Sequence, residues 1–163
     1  MGKFRAIERS VLTKDWGVDE RAALAHFLVE RKISEGDPIF LKQSKERSLY
    51  FIELGLIRFQ HETISVELKE GDSFGELSLL NESSKLVSAT AQTPCQLWVL
   101  TFDKFQEMKK TTPLVAVKLT EAIATKIAKA LSVFSIPQRI LTGSGSPPTP
   151  AKITGAQTRP QAF

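Results

Sequence analysis

Apolar positions along the chain change period twice, and the changes divide it into three stretches. Asp19-Glu20 places acids in the first turn of a helix, as the helix dipole favours. Leu24, Phe27 and Leu28 then recur at helical spacing among Ala22, Ala23 and Ala25, which predicts a helix running to about Lys32. The turn Glu35-Gly36-Asp37-Pro38 ends it. Short strand-like runs follow: Ile39-Phe40-Leu41, Leu49-Tyr50-Phe51-Ile52-Glu53-Leu54, Leu56-Ile57-Arg58-Phe59 after Gly55, Ile64-Ser65-Val66-Glu67-Leu68, Val87-Ser88-Ala89-Thr90-Ala91, and Cys95-Gln96-Leu97-Trp98-Val99-Leu100. Several short β-rich runs at this spacing predict a sandwich or barrel.

The helical period returns at Thr101. Thr101 or Asp103 is placed to cap a helix carrying Phe102, Phe105 and Met108. Pro113 stands where a second helix begins, a position that tolerates proline. That helix is predicted from Leu114 to Phe134. Its stripe is Ala116, Ile123, Ile127, Ala130 or Leu131, and Phe134, with Lys118, Lys126 and Lys129 on much of the other side. Residues 1–14 are weakly patterned and are expected to be an extension, residues 15–136 one domain, and the Gly/Ser/Pro-rich residues 137–163 a disordered tail.

One stretch, residues 70–91, departs from the strand pattern. The turn Glu70-Gly71-Asp72 leads to Phe74-Gly75-Glu76, a short apolar run Leu77 to Leu80, and a polar patch Asn81-Glu82-Ser83-Ser84-Lys85. Gly75 lets backbone amides approach a ligand, and the residues after it can open a helix whose first N–H groups favour an anion. Glu76 supplies an acceptor, Ser83 and Ser84 hydroxyls, and Lys85 a cation. This is the equipment for a ligand with hydroxyls and negative charge, such as a sugar phosphate.

Composition narrows the classes. With 163 residues, 42% apolar and 25% charged, the chain has the make-up of a water-soluble domain, and no apolar run approaches the length of a membrane span. The net charge of +4 is concentrated in the tail. After Ile136 the chain carries Arg139, Lys152 and Arg159 and no acid, leaving a body near neutrality, a poor match to a nucleic-acid binder. Cys95 is the single cysteine and is expected to be buried and unreactive. Without a secretory signal it points to a reducing, cytoplasmic setting. His26 and His61 lie far apart, so no metal site is expected, and no nucleophile–base motif is present, so no enzyme is expected.

The order of elements, with Glu35-Gly36-Asp37, Tyr50-Phe51-Ile52-Glu53-Leu54-Gly55 and above all Gly71-Asp72-Ser73-Phe74-Gly75-Glu76-Leu77-Ser78-Leu79-Leu80, resembles the cyclic nucleotide-binding domain. The resemblance implies a mainly β fold with flanking helices: an eight-stranded double-stranded β-helix or jelly-roll β-roll, an N-terminal helix and two C-terminal helices. It implies a ligand, cAMP or another cyclic nucleotide, and no other cofactor. The implied contacts are Phe74, Gly75, Glu76, Leu77 and Ser78, with Ser84, Lys85, Leu86 and Val87. The amides of Gly75, Glu76 and Leu77 would face phosphate or sugar, Glu76 would accept from the ribose 2′-hydroxyl, and the C-terminal helix would cap the base.

The chain departs from the family at the phosphate. Lys85 stands where the family carries arginine, keeping the charge but losing the planar fork, and Leu86 removes a hydroxyl. Glu82 would repel a phosphate if it pointed inward. Gln43 and Glu46 replace two turn glycines expected before Tyr50. Two functions follow: a sensor that binds a cyclic nucleotide and moves its C-terminal helix, or a domain without nucleotide that acts as a dimerisation or protein-interaction module through the Leu114 to Phe134 helix. Membrane insertion is not expected in either.

Overall fold

Eight strands form two four-stranded antiparallel sheets. The structure, a computed structural model, describes residues 2–62, 64–82 and 84–132. The strands are β1 (Val29–Ile33), β2 (Pro38–Phe40), β3 (Ser48–Leu54), β4 (Ile57–His61), β5 (Ile64–Leu68), β6 (Ser73–Phe74), β7 (Ser88–Ala91) and β8 (Cys95–Thr101). One sheet runs β1-β8-β3-β6 and the other β2-β7-β4-β5. Helices α1 (Gly2–Arg9) and α2 (Val18–His26) precede the roll, α3 (Glu76–Leu80) interrupts it, and α4 (Phe102–Thr111) and α5 (Pro113–Ser132) follow. The fold is a mainly β jelly roll with flanking helices.

β3 and β8 carry the architecture because both of their faces are covered. Leu49 and Phe51 face the helices, in a core with Ile7, Leu24, Trp98, Leu100, Met108, Leu119 and Ile123. Tyr50 and Ile52 face the roll interior with Phe40, Ile57, Phe74, Leu97 and Val99. A strand buried on both sides is a continuous apolar run rather than an alternation, as residues 49–52 are. Gly55 turns β3 into β4 with φ +101°, and a Cβ there would lie 2.6 Å from the Cys95 Sγ. Cys95 is buried, and burial pushes its thiol pKa up, as suits packing rather than reactivity.

The first helix of the pattern is shorter than expected. α2 ends at His26, and Val29–Ile33 becomes an edge strand, pairing from Val29 with Val99 to Ile33 with Cys95. The cause is tertiary: β8 requires a second neighbour, and Val29 and Ile33 suit a strand as well as a helix. The pattern also predicts no element in residues 1–14, yet α1 forms there and buries Ala6 and Ile7. α4 begins as expected, its N-cap Thr101 Oγ1 accepting from the Lys104 amide at 3.3 Å. Phe134 and residues 137–163 lie outside the described residues.

Candidate functional site

The stretch 70–91 forms a cassette shaped by one glycine. Gly75 sits at φ +92°, and a Cβ there would lie 2.2 Å from the Ser48 carbonyl oxygen, so no other residue fits without displacing β3. The left-handed step ends β6 and starts α3 at Glu76. At the far end of α3, Arg47 closes the helix. Its Nε and Nη2 donate to the carbonyls of Ser78 and Leu79, each at 3.2 Å, while its guanidinium lies 3.5 Å from the Phe102 ring centre.

Glu76 and Lys85 converge from opposite arms of the cassette. Ser78 Oγ donates to the Gly75 carbonyl at 3.0 Å and accepts from Lys85 Nζ at 2.5 Å. The Lys85 ammonium lies 4.5 Å from the Phe40 ring centre and 5.9 Å from that of Tyr50. With only 7% of its surface exposed, Lys85 is buried. Burial lowers its pKa, and the nearby carboxylates of Glu46 and Glu76 oppose that shift. Glu76 Oε1 accepts from Ser73 Oγ at 3.0 Å and also from Lys126 Nζ on α5. Lys126 donates as well to the Ser73 carbonyl at 2.7 Å and to Ser73 Oγ at 3.1 Å.

The remaining expected residues are spread around this pair. Phe74 stacks on Tyr50, centroids 4.6 Å apart and planes 8° apart, among the rings of Phe40 and Phe59. Val87 packs half-buried against the same interior cluster. Leu77, Ser84 and Leu86 are exposed, Leu86 at 73%. Ser83 lies outside the described residues. Glu82 does not face Lys85: it is exposed and pairs with Arg47 at 3.2 Å. The carboxylate beside Lys85 is instead Glu46, which accepts from the Tyr50 hydroxyl and lies 3.7 Å from Arg31. Burial, then the Glu46 carboxylate, pushes the Tyr50 pKa up.

Sequence reasoning missed three members of this site. Helical spacing puts Lys126 on the polar side of its helix, and nothing local shows that a residue 50 positions from Glu76 meets it. The strand pattern accounts for Tyr50 without indicating that its hydroxyl meets Glu46. Glu46 was visible only as a replaced turn residue. Its neighbour in that reading, Gln43, does take the conformation a glycine would supply, with φ +69°. A surface cleft of about 1040 Å³ is lined by Arg9, Leu54, Asp72 and Pro94 among others, and neither Glu76 nor Lys85 lines it. Among the described residues, no His, Cys, Asp or Glu gather in threes as a metal would need, and no helix is long and apolar enough to cross a membrane.

The β-roll thus carries a glycine-hinged cassette in which the Glu76 carboxylate and the buried Lys85 ammonium lie near each other. Residues 30–112 match the family model of the cyclic nucleotide-binding domain, and the chain belongs to that family. It is 30% identical over 115 residues to the Cyclic AMP receptor protein of Thermus thermophilus, covering 66% of this chain and 52% of that relative. The crystal structure of the Thermus thermophilus Catabolite Activator Protein superposes with a TM-score of 0.64 at 27% identity, covering 77% of this chain and 63% of that one. The N-terminal domain of a transcriptional regulator from Streptomyces coelicolor A3(2) superposes at 0.69 with 22% identity, covering 86% and 99%, and shows the fold. The chain thus spans about half the length of its Thermus relative.

Proposed function

We propose that the chain is a non-enzymatic regulatory domain that binds cAMP or a related cyclic nucleotide and answers by repositioning α5. The observation that carries this reading is that Glu76 stands near the Lys85–Ser78 pair while its Oε1 accepts from Lys126 of α5 as well as from Ser73. A ribose hydroxyl donating to Glu76 alters the bonds that hold α5, so ligand and helix position share one acceptor. A ligand shifts a helix only through different affinity for its two positions, and this shared acceptor supplies the difference. The relative named as a cyclic AMP receptor supports cAMP as the nucleotide to try first.

In this reading the amides of Gly75, Glu76 and Leu77 and the Lys85 ammonium receive the phosphate, Phe74, Ser78 and Val87 shape the walls, and Ser84 and Leu86 line the rim. The domain comprises residues 15–136 together with α1, whose Ile7 shares their core, and works in the cytoplasm. Lys85 is buried against Phe40 and must turn to meet a phosphate. Substituting Lys85→Arg adds the bidentate fork, and cAMP affinity is expected to rise about tenfold in calorimetric titration. Unchanged affinity would remove Lys85 from the phosphate.

The outer face of α5 favours a second reading. Leu114, Val117 and Leu131 are exposed there, and Ala124 and Ala128 extend the row at spacings of three, seven, four and three, with the exposed Glu121 between Val117 and Ala124. Such a row suits a second copy of this chain or a partner helix. A domain acting only through it would bind no nucleotide.

A further inference from the structure

The loop between β2 and β3 is tied to the arm of the cassette that carries Lys85. The Gln43 amide donates to the Lys85 carbonyl at 2.7 Å, and the Lys85 amide donates to the Ser44 carbonyl at 2.9 Å. These bonds carry Glu46 to the site, where the Tyr50 hydroxyl and Arg31 fix its carboxylate. Lys85 therefore faces two carboxylates, Glu46 from the loop and Glu76 from α3. The other cations are already engaged: Lys126 with Glu76 and Ser73, and Arg31 with Glu46 and the Ile39 carbonyl at 2.9 Å. Three cations and two carboxylates leave a single positive charge for a ligand.

We propose, on the cyclic-nucleotide reading of this site, that Glu46 is a specificity-determining residue that limits the ligand's phosphate to one negative charge. A cyclic phosphodiester carries one charge and is matched. A phosphomonoester carries up to two and leaves one uncompensated beside a carboxylate, where Lys85 is nearly excluded from water. Discrimination of this kind comes from repulsion of the wrong ligand rather than from tighter grip on the right one.

The test compares 3′,5′-cyclic AMP with 5′-AMP by calorimetry at pH 5.5 and 7.5, in the natural chain and in Glu46→Gln, whose amide oxygen still accepts from Tyr50. The monoester takes its second charge near pH 6. The natural chain is expected to favour cyclic AMP about tenfold more at pH 7.5 than at pH 5.5. In Glu46→Gln, 5′-AMP should tighten about tenfold at pH 7.5, cyclic AMP should change by less than about threefold, and the preference should lose most of its pH dependence. If the natural chain binds cyclic AMP and the ratio is the same in Glu46→Gln, Glu46 does not set selectivity, while the nucleotide reading stands. If neither nucleotide binds to either protein, the nucleotide reading falls and the selectivity with it.

Discussion

Lys85 is an expensive residue for the fold. Its ammonium is buried against Phe40 and Tyr50, with Ser78 Oγ as its hydrogen-bond acceptor and Glu46 and Glu76 as charged neighbours. A buried charge commonly costs more than its partners return, and an apolar group of similar volume restores the difference. Lys85→Met is expected to stabilise the domain by about 1 kcal/mol at pH 7 in urea denaturation, since the thioether packs well on aromatic rings and Ser78 keeps its bond to Gly75. The sign of the pH dependence follows from the direction of the shift. Because the folded-state pKa lies below the ordinary 10.5, the folded chain gives up the proton first, and the penalty is present in full at neutral pH. It fades as pH rises through the folded pKa towards 10.5, so the gap between the two proteins should close in alkaline buffer. A less stable Lys85→Met at neutral pH would mean that the ammonium network is a net gain. At this scale the sequence made Gly75, Glu76 and Lys85 visible through residue type and spacing. It left Glu46 and Tyr50 obscure, because their roles arise from a loop folding against the cassette.

Among the elements, α5 has two faces with different duties. Its inner face buries Ala116, Leu119 and Ile123 and sends Lys126 to Ser73 and Glu76, while Leu114, Val117 and Leu131 remain exposed outside. The predicted stripe found Ala116 and Ile123 but not Leu119, and it assigned Lys126 to solvent. A lysine's long stem lets its head reach a carboxylate that helical spacing alone does not anticipate. If Lys126 holds α5 to the cassette, Lys126→Met, which keeps helix propensity, should speed amide hydrogen exchange in residues 122–132 of the ligand-free protein by about tenfold. Exchange unchanged in that segment would show that the apolar face alone sets the helix. Strand β1 escaped the sequence for a related reason. Its residues Val29-Glu30-Arg31-Lys32-Ile33 have no strong period, and pairing with β8 decides their state.

For the whole molecule, the β-roll was legible because its signals agree across levels. Strand runs, turn glycines and a cassette with its own spacing all specify the same topology. The two sheets, with β3 and β8 buried on both faces, follow from that pattern. What stayed hidden is how closely the site is drawn together from distant parts: Arg31 from β1, Glu46 from a loop, Glu76 from α3 and Lys126 from α5. That convergence supports a sensor, and the exposed row on α5 supports an assembly module. Calorimetric titration of the chain with cAMP, alongside Glu76→Ala, separates them most directly. The account predicts binding tighter than about 1 mM, −4 kcal/mol or better, that is lost in Glu76→Ala. No heat from cAMP, cGMP or cyclic dinucleotides, together with a dimer that dissociates on dilution, would contradict it.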